Sequence, residues 1–152
     1  MNKIKIIFFM AMFLSLNLID ANDYFATCEN CCGQFLIKKT LEENNILRND
    51  DYYFNLFGGD VVTYINEIRE KLESEGIKTT KIGNNMNPNK ARKYLNNGYY
   101  IIGLKQRHWW LITEISNNTY KTYDINLDVS YQNIHYFITT DNLAVKITKK
   151  SQ

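Results

Sequence analysis

The residue types that could support chemistry lie at two distant places in the chain. Cys28, Cys31 and Cys32 fall within five residues near the amino terminus, and a glycine follows them directly. His108 begins an apolar run, and Asp124 comes sixteen residues later. A thiol at the start of a helix, an imidazole and a carboxylate are the parts of a cysteine nucleophile, its base and the group that orients the base. This order predicts a cysteine peptidase or amide hydrolase that works through a thioester intermediate.

Cys32 is the first choice for the nucleophile, because a glycine and a helix-like segment follow it at once. A helix N-terminus and a nearby imidazolium both stabilise a thiolate, so we expect the pKa of this thiol to be lowered. His108 is the expected base, which later delivers a proton to the leaving amine. Asp124 is expected to hold this histidine in its useful tautomer.

The cysteine cluster also has interpretations that involve no catalysis. Because three is an odd number, at least one thiol stays unpaired, and Cys28 could close a short disulfide ring with Cys31 while Cys32 stays free. The thiols could instead be buried small hydrophobic groups. Structural zinc requires a second pair of cysteine or histidine ligands, which the sequence lacks. We therefore predict no metal site and no cofactor.

The first two dozen residues differ in composition from the remainder. Two lysines precede an apolar run from Ile6 to Leu18, and the small residue Ala21 follows. A basic start, a short apolar run and a small-residue cleavage site are typical of a secretory signal peptide. We expect residues 1–21 to be removed and residues 22–152 to form one secreted or periplasmic domain with no stable membrane anchor. The alternative is an uncleaved amino-terminal anchor.

Length and charge limit the classes of partner. The chain has 18 basic and 16 acidic residues and no basic stripe, which argues against nucleic acid as a partner. The length after removal of a signal peptide suffices for one hydrophobic core. A peptide or protein is the substrate that fits the predicted chemistry.

Helices are expected first along the chain and strands second. Apolar spacing, capping residues and glycines predict helices from Cys32 to about Asn45, from the N-cap Asp60 to Gly76, and from Asn87-Pro88 to Gly98. β-Branched and aromatic residues predict strands at Ile77–Ile82, Tyr99–Leu104, His108–Ile115, Thr119–Tyr123 and Leu143–Ile147. The pattern indicates an α+β domain in which amino-terminal helices pack on an antiparallel sheet.

A hairpin turn at Asn117-Asn118 would bring the histidine and the carboxylate together. His108 starts one strand of this hairpin, and Asp124 lies just past the end of the other. Antiparallel pairing places these two ends side by side. Trp109 and Trp110 then face opposite sides of the sheet, one toward the core and one toward a groove or the surface, and Trp109 is the residue that we assign to substrate binding.

Together these residues resemble the papain-like peptidases that process double-glycine leader peptides. The similarity consists of Cys32 with its following glycine at a helix start, the segment from Leu72 to Ile77, the Gly-Tyr-Tyr-Ile-Ile strand at 98–102, His108, and the pair Tyr-Asp that ends at Asp124. The resemblance implies a papain-like fold. It also implies Cys32 as nucleophile, His108 as base and Asp124 as the orienting residue.

The family places a glutamine six residues before its cysteine as an oxyanion donor, and here that position is Ala26. Asn30 and Gln34 are the candidate substitutes. If Cys28 were the nucleophile, an asparagine at position 22 would lie six residues upstream. Cys28 is therefore the second choice for the nucleophile, and Cys31 is the third.

The sequence also resembles Josephin deubiquitinases and papain-fold toxins. Cys28-Glu-Asn-Cys-Cys and the pair His108-Trp109 carry this second similarity, which implies Cys28 as nucleophile and Cys32 as a packing residue. A Josephin-like deubiquitinase effector is therefore an alternative function. A catalytically inactive papain-like domain that binds peptides is another, and an acyltransferase with the same triad is a third.

Overall fold

The computed structural model of the protein describes residues 31–58, 63–84, 86–124 and 129–148. The predicted signal peptide, Cys28 and Asn30 lie outside these residues, and so does Asp60, the expected N-cap. Over the described ranges, no helix is both long enough and apolar enough to cross a membrane.

Four α-helices form in the described residues, and short-range capping sets their ends. They are α1 (Cys32–Glu43), α2 (Asp50–Phe54), α3 (Ile65–Ser74) and α4 (Pro88–Leu95), and a 3₁₀ turn at Leu56–Gly58 follows α2. The Asn87 side chain accepts a hydrogen bond from the backbone N–H of Lys90, which caps α4 as predicted. Gly76 follows the end of α3 with a φ of +81°, a conformation that favours glycine.

The start of α3 differs from the prediction. Its N-cap is Tyr64, whose backbone N–H donates to Oε2 of Glu67 at 2.7 Å. A carboxylate in the first helical turn can satisfy the free amide at this end and also interacts favourably with the helix dipole. The predicted N-cap at Asp60 is therefore wrong, and the helix begins five residues later at Ile65.

The strands form one antiparallel sheet. They are β1 (Thr79–Gly83), β2 (Tyr99–Lys105), β3 (His108–Ile115), β4 (Thr119–Tyr123), β5 (Val129–Asn133) and β6 (Thr140–Lys146). Their order across the sheet is β1-β6-β2-β3-β4-β5. The bounds predicted for β3 and β4 are confirmed, β6 starts three residues earlier than expected, and β5 was not predicted.

A hydrophobic core covers each face of the sheet. Successive residues of a strand point to opposite sides, and buried residues occur on both. One core cluster joins α1 and α3 to Ile102, Leu111 and Leu143. The second joins α4 to a matching set on the opposite face, Ile101, Ile112 and Ala144. The predicted α+β architecture, with amino-terminal helices packed on an antiparallel sheet, is confirmed. Cys32, at the start of α1, belongs to the first cluster.

Candidate active site

Cys32 is the first residue of α1 and carries a free thiol. Its side chain is 7% exposed. The preceding residue, Cys31, is fully buried and disulfide-bonded, and its partner lies outside the described residues. A sulfur held in a disulfide is no nucleophile, which argues against Cys31, the third choice. The free thiol therefore occupies the helix N-terminus, where the first amides have no partner within the helix.

Backbone amides act on the thiol of Cys32. The N–H groups of Trp109, of Gly33 and of Cys32 itself each favour its thiolate and so lower its pKa. Burial nevertheless raises the pKa of the Cys32 thiol above its ordinary value, and these three amides lower it by less. The expected lowered pKa is therefore wrong: withdrawing the sulfur from water disfavours the thiolate more than the helix N-terminus favours it.

The contact with Trp109 connects the thiol to strand β3. The residue before this tryptophan in the chain is His108, whose side chain points to the opposite face of β3. The indole N–H of Trp109 donates to the carbonyl oxygen of Thr63 at 3.1 Å. Its ring packs with α1 and is 4% exposed, and its predicted role in substrate binding stays a prediction.

Thr63 approaches the helix directly beside Cys32. A Cβ atom built on Gly33 would lie 2.8 Å from Cβ of Thr63 and 3.0 Å from its Cγ2, with Oγ1 closer still. Only a residue without a side chain fits at this contact. Thr63 itself is buried, and within the described residues its hydroxyl has no hydrogen-bond partner. Buried hydroxyls without partners are rare in folded proteins, so this one calls for an explanation.

His108 is held at the start of β3 by a tight turn. The two turn residues, Gln106 and Arg107, have φ values of 52° and 65°, and Lys105 pairs with His108 across the turn. Positive φ at both positions is the geometry of a type I′ hairpin. Side chains other than glycine store about 1–2 kcal/mol per residue in this conformation, a strain often seen at functional sites. The turn leaves the imidazole half-buried at the end of the sheet.

The imidazole contacts Trp110, two residues further along the same face of β3. The two ring centroids are 6.1 Å apart, with the planes at 64°. Trp110 in turn packs edge-to-face on Phe137 in the second core cluster. The ring of His108 thus rests on the face of the second core cluster, whereas Cys32 and Trp109 belong to the first cluster on the opposite face.

Asp124 directly follows β4 and is half-buried. Leu111 pairs with Tyr123, so the register, continued by one residue, places Asp124 opposite Trp110. Paired residues of an antiparallel sheet share a face, and His108 lies on that face two residues further along β3. The hairpin therefore brings the two residues to the same end and face of the sheet, offset by two positions.

This register depends on a β-bulge in β3. Ile112 pairs with Thr122, whereas Glu114 pairs with Lys121, so Thr113 is an additional residue on this strand. No local pattern in the sequence predicts the bulge. The same holds for Thr63, which reaches the helix start only through the tertiary fold.

Of the two predicted oxyanion donors, Asn30 and Gln34, the structure describes only Gln34. Asn30 lies outside the described residues. Gln34 is fully buried in α1, and its amide Nε2 donates to the carbonyl oxygen of Leu56 at 3.3 Å. The amide hydrogens of this residue thus connect α1 to the 3₁₀ turn. Among the described residues, no group of three or more histidine, cysteine, aspartate or glutamate side chains could hold a metal ion.

Comparison with known proteins identifies a fold. No family model matches the chain, and no curated protein matches its sequence. Among solved structures, the chain is similar to the crystal structure of the peptidase domain of Streptococcus ComA, a bi-functional ABC transporter involved in a quorum-sensing pathway. The match has a TM-score of 0.61 at 16% sequence identity and covers 78% of this chain and 93% of that domain. The chain thus has the fold of this peptidase domain, and the predicted papain-like fold is confirmed.

Proposed function

We propose that the chain is a cysteine peptidase in which Cys32 is the nucleophile, His108 the base and Asp124 the group that orients the base. The observation that carries this proposal is the free thiol at the start of α1, in the same core cluster as Trp109, the neighbour of His108 in the chain. The fold shared with a peptidase domain supports the same conclusion. The substrate is a peptide or protein.

The raised pKa of the Cys32 thiol determines how the reaction begins. Since the resting sulfur keeps its proton, attack requires a base, and His108 takes this proton as the sulfur forms a bond to the carbonyl carbon. The carbonyl π electrons move onto oxygen. When the tetrahedral intermediate collapses, the C–N bond breaks, and the imidazolium returns the proton to the leaving amine.

Hydrolysis of the thioester repeats these steps with water. His108 accepts a proton from the attacking water, the C–S bond breaks, and the sulfur regains a proton as the carboxylic acid leaves. Asp124 stabilises the imidazolium in both steps and holds its ring orientation. Because the carboxylate is offset by two register positions, its side chain has to extend along the strand toward His108.

We also propose that residues 1–21 are a signal peptide and that the enzyme works outside the cytoplasm, as the composition of this segment indicates. Mass spectrometry of the protein purified from the extracellular or periplasmic fraction tests this. A chain that begins at Asn22 supports the proposal. An intact chain of 152 residues in the cytoplasmic fraction contradicts it.

The test of the peptidase proposal is cleavage of a peptide library, read by mass spectrometry, with wild type and the variants Cys32→Ala, His108→Ala and Asp124→Asn. We expect cleavage by wild type, none by the first two variants and reduced cleavage by the third. Cys28→Ala/Cys31→Ala is the matched control, since it removes the two other cysteines and leaves Cys32 as the one thiol of the sequence. Cleavage that depends on Cys28 and not on Cys32 contradicts the assignment. Binding of peptides without cleavage by any variant indicates an inactive peptide-binding domain.

A further inference from the structure

Strand β5 forms one edge of the sheet and carries no charged residue. Its sequence from Val129 to Asn133 is Val-Ser-Tyr-Gln-Asn, and it pairs with β4 without a bulge. Val129 and Tyr131 are 45% and 68% exposed, and both point to the same side of the strand. Proteins usually protect an edge of this kind, because its free backbone groups can pair with another strand.

The opposite edge of the sheet has such protection. Strand β1 carries the exposed Lys81, and the register of its pairing with β6 shifts between Lys81 and Gly83. A lysine and a bulge both hinder the approach of a further strand. The two edges therefore differ, and β5 is the one that is open to pairing.

The backbone of β5 alternates between groups that bond β4 and groups that point away from the sheet. The N–H of Ile134 donates to the carbonyl oxygen of Asn118, its partner in the continued register. In an antiparallel pair every second residue bonds the same neighbouring strand, so Ser130 and Gln132 also bond β4. The odd-numbered residues of β5 therefore direct their N–H and C=O groups outward.

Two residues make up the free part of this edge. The carbonyl oxygen of Asn133 accepts from the N–H groups of Tyr136 and Phe137, so the turn after β5 closes the edge at this end. Val129 and Tyr131 remain. Over the described ranges, no strand or turn bonds their outward N–H and C=O groups.

We propose that β5 pairs with β5 of a second copy of this chain. A two-fold axis at Ser130 places Val129 of each copy opposite Tyr131 of the other. Each of these pairs exchanges both of its N–H···O bonds, so the outward groups of both residues are satisfied. An aromatic and a β-branched side chain also meet in each pair, which is a favourable cross-strand combination.

Charge also favours a second copy as the occupant. Both meeting strands are uncharged, so no like charges come together across the axis. Lys121, which lies opposite Tyr131 on β4, is paired with Glu114 at 3.2 Å. One strand of five residues gives a small interface, and small interfaces belong to weak, transient complexes. We therefore expect monomers and dimers in exchange.

Sedimentation of the isolated full chain measures this association. Between about 1 µM and about 1 mM, the average mass should rise from that of one copy toward that of two. Tyr131→Lys places a charge on the edge and should move the midpoint of dimerisation about tenfold or more to higher concentration. Leu47→Lys is the matched control, since Leu47 is 78% exposed and lies outside the sheet. It should leave the midpoint unchanged.

A cysteine at the axis tests the register. The two copies of Ser130 would form a non-hydrogen-bonded pair with Cα atoms about 4.5 Å apart, a distance that a disulfide spans. Ser130→Cys should therefore form a covalent dimer on oxidation, in a Cys32→Ala background that removes the free thiol of α1. The two copies of Gln132 would be about 13 Å apart along the strands, so Gln132→Cys should form little.

The inference is overturned if wild type keeps the mass of one copy up to the highest concentration. Association that Tyr131→Lys weakens no more than Leu47→Lys places the contact elsewhere on the chain, and equal yields of covalent dimer from the two cysteine variants contradict the register. If wild type stays monomeric and Tyr131→Lys weakens its binding of library peptides, the edge accepts an extended peptide and not a second copy. Thermal denaturation checks that each variant is folded.

Discussion

A methyl group at Gly33 would occupy space that Thr63 already fills. In the variant Gly33→Ala the new Cβ would be 2.8 Å from Cβ of Thr63 and 3.0 Å from Cγ2, and closer to Oγ1. Overpacking of this kind costs about 1–3 kcal/mol. Displacing Thr63 would also weaken the hydrogen bond from the Trp109 indole, which is worth about 0.5–1.5 kcal/mol. The better helix propensity of alanine offsets about 0.5–1 kcal/mol.

The expected net loss is about 1–3 kcal/mol of unfolding free energy, since the two unfavourable effects exceed the favourable one. Urea denaturation followed by circular dichroism measures it. Thr63→Ala and the double variant Gly33→Ala/Thr63→Ala complete a mutant cycle, in which the second substitution removes Oγ1 and Cγ2 from the contact. We expect Gly33→Ala to cost less stability in the Thr63→Ala background than in wild type. If the cost is the same in both backgrounds, or if Gly33→Ala is as stable as wild type, the close contact is not what requires glycine.

The remaining predictions concern single groups near the site and in the supporting helices. Alkylation of Cys32 by iodoacetamide should follow a pH–rate profile with its midpoint above 9.0, the ordinary thiol value, because burial raises the pKa of this thiol; a midpoint below 9.0 contradicts this. Acidification should lower the unfolding free energy of Glu75→Gln by less than that of wild type. The hydrogen bond from Tyr52 lowers the pKa of the Glu75 carboxyl, so its contribution is present above the ordinary value of 4.5 and is lost as the pH falls through the lowered pKa; urea midpoints from acidic to neutral pH show whether the slope changes. Trp109→Phe should destabilise the protein by about 1–3 kcal/mol, because the Thr63 carbonyl stays buried without its donor; an unchanged urea midpoint argues against this hydrogen bond.

Elements whose ends are set by neighbouring residues could be predicted from the sequence. The Asn87-Pro88 start of α4 and the Gly76 end of α3 both follow from capping chemistry within one turn. The bounds of β3 and β4 follow from β-branched and aromatic residues on either side of a short turn. The predictions that depend on such local signals are confirmed.

Features that depend on tertiary contacts could not be predicted in this way. The pKa of Cys32 follows from how deeply α1 is buried against β3, and the helix start alone suggests the opposite direction. Thr63 is thirty residues from Gly33 in sequence, and no spacing rule connects them. The short strand β5 leaves its apolar residues Val129 and Tyr131 exposed at the edge of the sheet, and only pairing with β4 defines it.

The bulge at Thr113 determines whether Asp124 lies on the same face of the sheet as His108. A shift of the pairing by one residue exchanges the two faces of the sheet. A regular ladder that kept Thr113 would pair it with Thr122 and would pair Asp124 with Leu111, on the face opposite to His108. The bulge takes up this extra residue and so keeps Asp124 on the His108 face. Deletion of Thr113 removes the bulge but leaves Ile112 opposite Thr122 and Glu114 opposite Lys121, so both this deletion and Thr113→Val should retain peptide cleavage in the library assay.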